Sequence, residues 1–112
     1  MQVIYYLNEN GIPVVKNWIE EQEPKVAAKI FRDIDLLEKY GLALGKPYID
    51  KVDKAEGIWE LRTQFGGNIY RILFGIYGDA IMLNGFQKKR QKTPPNEIKT
   101  AIKRLKKHLE KR

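Results

Sequence analysis

The sequence predicts an α+β fold on three observations: a small antiparallel-rich sheet, two helices on one sheet face, and a basic C-terminal helix. Three β-rich segments run from residue 58 to residue 86, separated by the two-residue turns Gly66-Gly67 and Gly78-Asp79. Two segments of near-helical apolar period precede them, each opened by a proline. A last segment of the same period combines a narrow apolar stripe with dense positive charge.

In chain order, Gln2–Leu7 (QVIYYL) is a short β-rich run that stops at the turn cluster Asn8–Gly11. Pro13 opens a helix with Val14, Val15, Trp18 and Ile19 on one side. Pro24 opens a second, whose apolar residues are Val26, Ala27, Ile30, Phe31, Ile34, Leu37 and Tyr40, with Gly41 as its C-cap. The stretch from Leu42 to Gly57 reads as a surface loop, since it holds Gly45, Pro47 and the charges Asp50, Lys51, Asp53, Lys54 and Glu56. Strands follow over Ile58–Phe65, Asn68–Tyr77 and Ala80–Phe86. Glycine at both turns supplies the positive φ that tight hairpins need. Thr93 can then cap a final helix starting at Pro94 or Pro95, with Ile98, Ala101, Ile102, Leu105 and Leu109 as its stripe. The order is β-α-α-β-β-β-α, one domain over residues 1–112.

The net charge is +7, and it is local. Residues 88–112 hold eleven Lys or Arg against Glu97 and Glu110, whereas residues 1–87 hold ten basic and twelve acidic side chains. A patch of that kind attracts a polyanion, nucleic acid above all. With no Cys and one His, thiolate zinc sites and disulfides are excluded, and no cofactor or metal is expected. No signal-peptide pattern and no apolar run of about 20 residues is present, so a cytoplasmic protein without membrane contact is expected.

The two glycine turns fix strand register. With Gly66-Gly67 as the first loop, Arg62 faces Arg71. With Gly78-Asp79 as the second, one face carries the rows Trp59–Phe74–Leu83, Leu61–Ile72–Gly85 and Gly57–Ile76–Ile81, an apolar surface for the helical hairpin. The other face gathers Glu60, Arg62, Arg71, Phe86 and, by continuation of the strand, Lys88. Like charges directly opposed cost about 0.2–1 kcal/mol. Either Glu60 bridges the two arginines, or a phosphate sits between them as a bidentate partner.

These residues resemble a known family. GIWELR (57–62), NIYRILF (68–74) and IMLNGFQKKRQKTPPNEIKTAIKR (81–104) are similar to the HigB branch of the RelE/ParE toxin superfamily. The shared pattern is Glu60-Leu61-Arg62, Tyr70-Arg71, Gly85-Phe86-Gln87-Lys88-Lys89, Thr93-Pro94, and Ala101 with Arg104 in the last helix. The resemblance spans residues 3–108. It implies a RelE-like fold and a toxin of a type II toxin–antitoxin system: an endoribonuclease (mRNA interferase) that cleaves mRNA, usually on the ribosome, without a metal. The implied partner is a helix-turn-helix, HigA-like antitoxin, with operator DNA bound only through the antitoxin complex. Two alternatives stand beside it: a ParE-like inhibitor of DNA gyrase without nuclease activity, and a non-toxic nucleic-acid-binding module.

Metal-free RNA cleavage needs a base for the 2′-OH, cations for the phosphorane and an acid for the leaving 5′-oxygen. Arg62 and Arg71 suit charge stabilisation. Lys88 suits charge stabilisation or the acid, since neighbouring cations disfavour its charged form. Glu60 is a candidate base or an orienting group. Phe86 is placed for core packing under the last helix or for base stacking, and Tyr70 for the core. Lys89, Arg90, Lys92, Lys99, Lys103, Arg104, Lys106 and Lys107 form the expected docking surface for RNA or ribosome. His108 reads as a solvated helix residue.

Overall fold

A computed structural model of the chain describes residues 1–87 and 92–111. The element order is β1 (Val3–Tyr5), α1 (Val14–Glu20), α2 (Pro24–Tyr40), a 3-10 turn (Gly41–Leu44), β2 (Ile49–Asp53), β3 (Ile58–Phe65), β4 (Asn68–Tyr77), β5 (Asp79–Gln87) and α3 (Pro95–Glu110). The five strands form one mixed sheet in the order β1-β5-β4-β3-β2, with β1 parallel to β5 and every other pair antiparallel. The α+β class and the C-terminal helix are as the sequence predicts.

Helices cover both faces. Val15 and Ile19 of α1, with Val26, Ile30, Ile34 and Leu37 of α2, bury against Leu61, Ile72, Phe74 and Met82 on one side. Ala101 and Leu105 of α3 bury against Ile58, Leu73, Ile81, Leu83 and Phe86 on the other. The narrow stripe of α3 therefore docks on the chain's own sheet. Pro24 stands at the start of α2, and Gly41 ends it with a φ of 57°, as the sequence predicts.

The β3–β4 register is the predicted one, with Phe65 opposite Asn68 and Arg62 opposite Arg71. Gly66 and Gly67 have φ of 56° and 82°, a conformation only glycine adopts without strain. The β4–β5 hairpin differs. Tyr77 pairs with Asp79, so the turn is one residue shorter than expected, and a bulge between Met82 and Asn84 restores the predicted pairing of Ile72 with Gly85 and Arg71 with Phe86. Below the bulge the expected rows change. Phe74 faces Met82, Ile76 faces Ala80, and Ile81 and Leu83 turn toward α3. Gly57 lies in the turn before β3.

A second correction concerns residues 42–57. Ile49–Asp53 within that stretch is an edge strand, pairing Ile49 with Leu61 and Asp50 with Glu60. Its sequence, IDKVD, buries Ile49, half-buries Asp50 and Asp53 and exposes Lys51. Charged side chains on an edge strand discourage pairing with another chain.

Candidate functional site

The ends of β3 and β4 nearest the Gly66-Gly67 turn carry Arg62 and Arg71, opposed on adjacent strands. Arg62 is 27% exposed and Arg71 only 1%. Strand alternation puts Glu60 on the same face, and it has no exposed surface.

The Glu60 carboxylate is the hub. Oε1 accepts from Arg62 Nε at 2.5 Å and from Arg71 Nη1 at 3.3 Å. Oε2 lies 3.4 Å from Arg71 Nη1 and accepts the Thr93 hydroxyl at 2.5 Å. A buried carboxylate needs such partners, because desolvation would otherwise expel its charge. Of the two arrangements left open for the arginines, the bridge through Glu60 is present. Arg62 has a further contact, Nη2 to Asp50 Oδ2 of β2 at 3.7 Å.

Thr93 is a site residue that helix-capping logic misassigned. The α3 N-cap is Pro94, with no side-chain cap bond, and Thr93 is buried with its hydroxyl on Glu60. The sequence signal was its place in the shared motif before Pro94. Asp50 was hidden because β2 read as loop.

In front of the arginines is a cleft of about 300 Å³ lined by Pro47, Arg62, Gln64, Ile69 and Arg71. The Tyr48 carbonyl accepts the Arg62 backbone N–H at 2.8 Å and fixes the Pro47 segment over the cleft. Lys88, Lys89 and Arg90 lie outside the described residues.

The other predicted site residues fall into distinct places. Phe86 is buried beneath α3 in a cluster with Leu105 and Leu73. Tyr70 is buried on the opposite face, its ring centroid 6.4 Å from that of Trp18. Lys92, Lys99, Lys103, Lys106 and Lys107 are exposed. Arg104 is not part of that free surface. Its Nη1 donates to the Leu83 carbonyl at 2.8 Å, and its guanidinium lies 5.7 Å from the Tyr6 ring. Leu83 is the extra residue of the β5 bulge, so Arg104 satisfies a carbonyl at a break in the ladder. His108 is half-buried near the C-terminal end of α3. Among the described residues no cluster of His, Asp and Glu is placed to hold a metal ion. No helix among them is long and apolar enough to cross a membrane.

A family model described as Phage derived protein Gp49-like (DUF891) matches residues 17–106, most of the chain and every described element of the site. The chain belongs to the Gp49-like family. This family is RelE-like and associated with toxins of toxin–antitoxin systems, so an antitoxin is the partner class that membership indicates. Comparison with curated proteins gives no match. The Gp49-like match begins inside α1 and ends inside α3, spanning both helical layers and β2 to β5.

Proposed function

We propose that this Gp49-like protein is a toxin of the HigB branch, an endoribonuclease that cleaves mRNA on the ribosome and is restrained by a helix-turn-helix antitoxin. The observation that carries the reading is the Arg62–Arg71 pair, opposed across β3 and β4 at the mouth of a cleft. The motif spacing from Glu60 to Arg104 supports it.

In this reading the scissile phosphate enters the cleft at Arg62. The 2′-hydroxyl gives its proton to a water molecule as its oxygen attacks the adjacent phosphorus, the bond to the 5′-oxygen breaks, that oxygen takes up a proton, and a 2′,3′-cyclic phosphate and a 5′-hydroxyl result. Arg62 is the more accessible cation and meets the phosphate directly. Arg71, behind it, adds charge that develops its full effect only in the phosphorane, because a buried cation is weakly screened. Lys88, on the sequence pattern, supplies a further cation or the proton for the leaving oxygen.

Glu60 acts as a positioning residue. Both its oxygens are engaged and it has no exposed surface. A base must reach the 2′-OH, whereas Glu60 reaches the arginines. It aligns two guanidinium groups that would otherwise repel each other. The exposed lysines of α3 are the docking surface, giving affinity that falls steeply with salt.

Primer extension on mRNA translated by purified ribosomes tests the proposal. New ends that appear with the protein, and disappear with its antitoxin, are expected. Inhibition of gyrase supercoiling with no new RNA ends would assign the chain to the ParE-like class instead.

A further inference from the structure

The cleft at Arg62 does not end at the sheet. Strand β2 stops opposite Leu61, so among the described residues β3 beyond Arg62 has no strand neighbour on that side. A groove continues over this open edge onto the helical-hairpin side of the molecule. It is lined by Lys29, Arg32, Asp33 and Leu36 of α2, and by Pro47, Tyr48, Arg62 and Gln64. Pro47, Arg62 and Gln64 also line the Arg71 cleft, so the two spaces adjoin across these three residues.

The groove is polar in a specific way. Asp33 is 4% exposed, on the wall of the groove, and one of its oxygens accepts the Thr63 hydroxyl at 2.8 Å. No other hydrogen bond or ion pair to Asp33 exists among the described residues, so the carboxylate has acceptor capacity left over. It repels a phosphate and takes an N–H or O–H donor. The cations stand higher up. Lys29 Nζ donates to the Gln64 carbonyl on the open edge, and Arg32 is exposed with no ion pair among the described residues. Tyr48 is 38% exposed and sets an aromatic face on the same groove.

We infer that this groove holds the nucleotide next to the scissile phosphate, with its phosphate at Lys29 and Arg32 and a donor group of its base on Asp33. The inference rests on the proposed RNA-cleaving reading. A single-stranded nucleotide offers the features the groove presents: an anion for the rim, a base edge with N–H donors for the floor, and a ring for Tyr48. Asp33 then sets sequence preference at that position, while Arg62 and Arg71 are indifferent to the base.

The experiment compares wild type, Arg71→Ala, the double variant Lys29→Ala/Arg32→Ala, and Asp33→Asn on mRNA-programmed ribosomes, recording KM, kcat and the map of cut positions. Asn keeps an oxygen for the Thr63 hydroxyl, and a melting curve checks that Asp33→Asn is folded. Both substituted groups of the double variant lie at the surface. The expected result is a KM raised roughly threefold to tenfold at nearly unchanged kcat for the double variant, the size of one or two lost rim contacts. For Asp33→Asn, a changed distribution of cut positions is expected. If both variants match wild type in KM and cut map while Arg71→Ala is inactive, the groove assignment is overturned and the nuclease reading stands. If wild type makes no cuts, both fall.

Discussion

Glu60 and Arg62, two residues apart on one face of β3, are joined by a 2.5 Å hydrogen bond from Nε to Oε1, and the carboxylate is wholly shielded from solvent. Arg71 meets the same carboxylate from the neighbouring strand. The charge balance of this trio decides both stability and the alignment of the arginines. Glu60→Ala should cost about 3–5 kcal/mol, because it removes the carboxylate that balances the buried Arg71 cation. Glu60→Gln should cost less, about 1–3 kcal/mol, because the amide oxygen still accepts one partner. Urea unfolding checks both. In cleavage, Glu60→Gln should lower kcat and keep the wild-type pH profile, as a positioning residue requires; loss of the acidic limb would make Glu60 the base.

Gly85 is held by packing. A Cβ there would overlap the Trp18 indole, at 2.7 Å from Cζ3. Gly85→Ala should destabilise the protein by about 1–3 kcal/mol by pushing α1 off the sheet. Combining it with Trp18→Leu should recover part of that loss in thermal melts.

The basic surface of α3 divides by role. Arg104→Ala removes the donor to the Leu83 carbonyl and should cost about 1–3 kcal/mol in stability. Lys99, Lys103 and Lys106 are exposed, and their joint replacement by Ala should leave stability within about 0.5 kcal/mol. The triple variant should weaken ribosome binding and flatten its salt dependence. Unfolding curves beside ribosome co-sedimentation separate the two effects.

Tyr5 gives a signature at high pH. Burial, with Glu38, Asp35 and Glu20 nearby, raises its phenol above the ordinary value of 10.0. The folded state therefore holds the proton that the unfolded state releases first. Stability from this group is complete below pH 10 and is lost as pH rises from there through the folded value. Wild type should lose more stability than Tyr5→Phe on going above pH 10, and matched unfolding series at neutral and alkaline pH measure the difference.

What the sequence disclosed follows from how local each determinant was. The Gly66-Gly67 turn specifies its hairpin without help, so the facing of Arg62 and Arg71 was legible. The β4–β5 turn is one residue shorter than Gly78-Asp79 suggests, and the bulge at Leu83 compensates, so the site rows follow the sequence expectation while the β4–β5 pairings below them do not. A bulge is set by tertiary contacts, among them the bond from Arg104, and leaves no local pattern. Strand β2 was illegible because Ile49–Asp53 is mostly charged and pairs only through Ile58–Leu61 of β3. With β2 unseen, neither Asp50 beside Arg62 nor the open edge beyond Leu61 could be inferred. Thr93 looked like a helix cap because its pattern fits one, whereas Glu60, distant in sequence, claims its hydroxyl. Asp33 carries no signal of its own in the sequence; its bond to Thr63 depends on how α2 crosses the sheet.

The most direct test of the central claim is the single-turnover rate of mRNA cleavage on programmed ribosomes for wild type, Arg62→Ala and Arg71→Ala, all confirmed as folded. Each substitution should lower the rate by at least about 10²-fold, the effect of losing one charge-stabilising group in a transition state. Cleavage by Arg71→Ala at the wild-type rate would contradict the account.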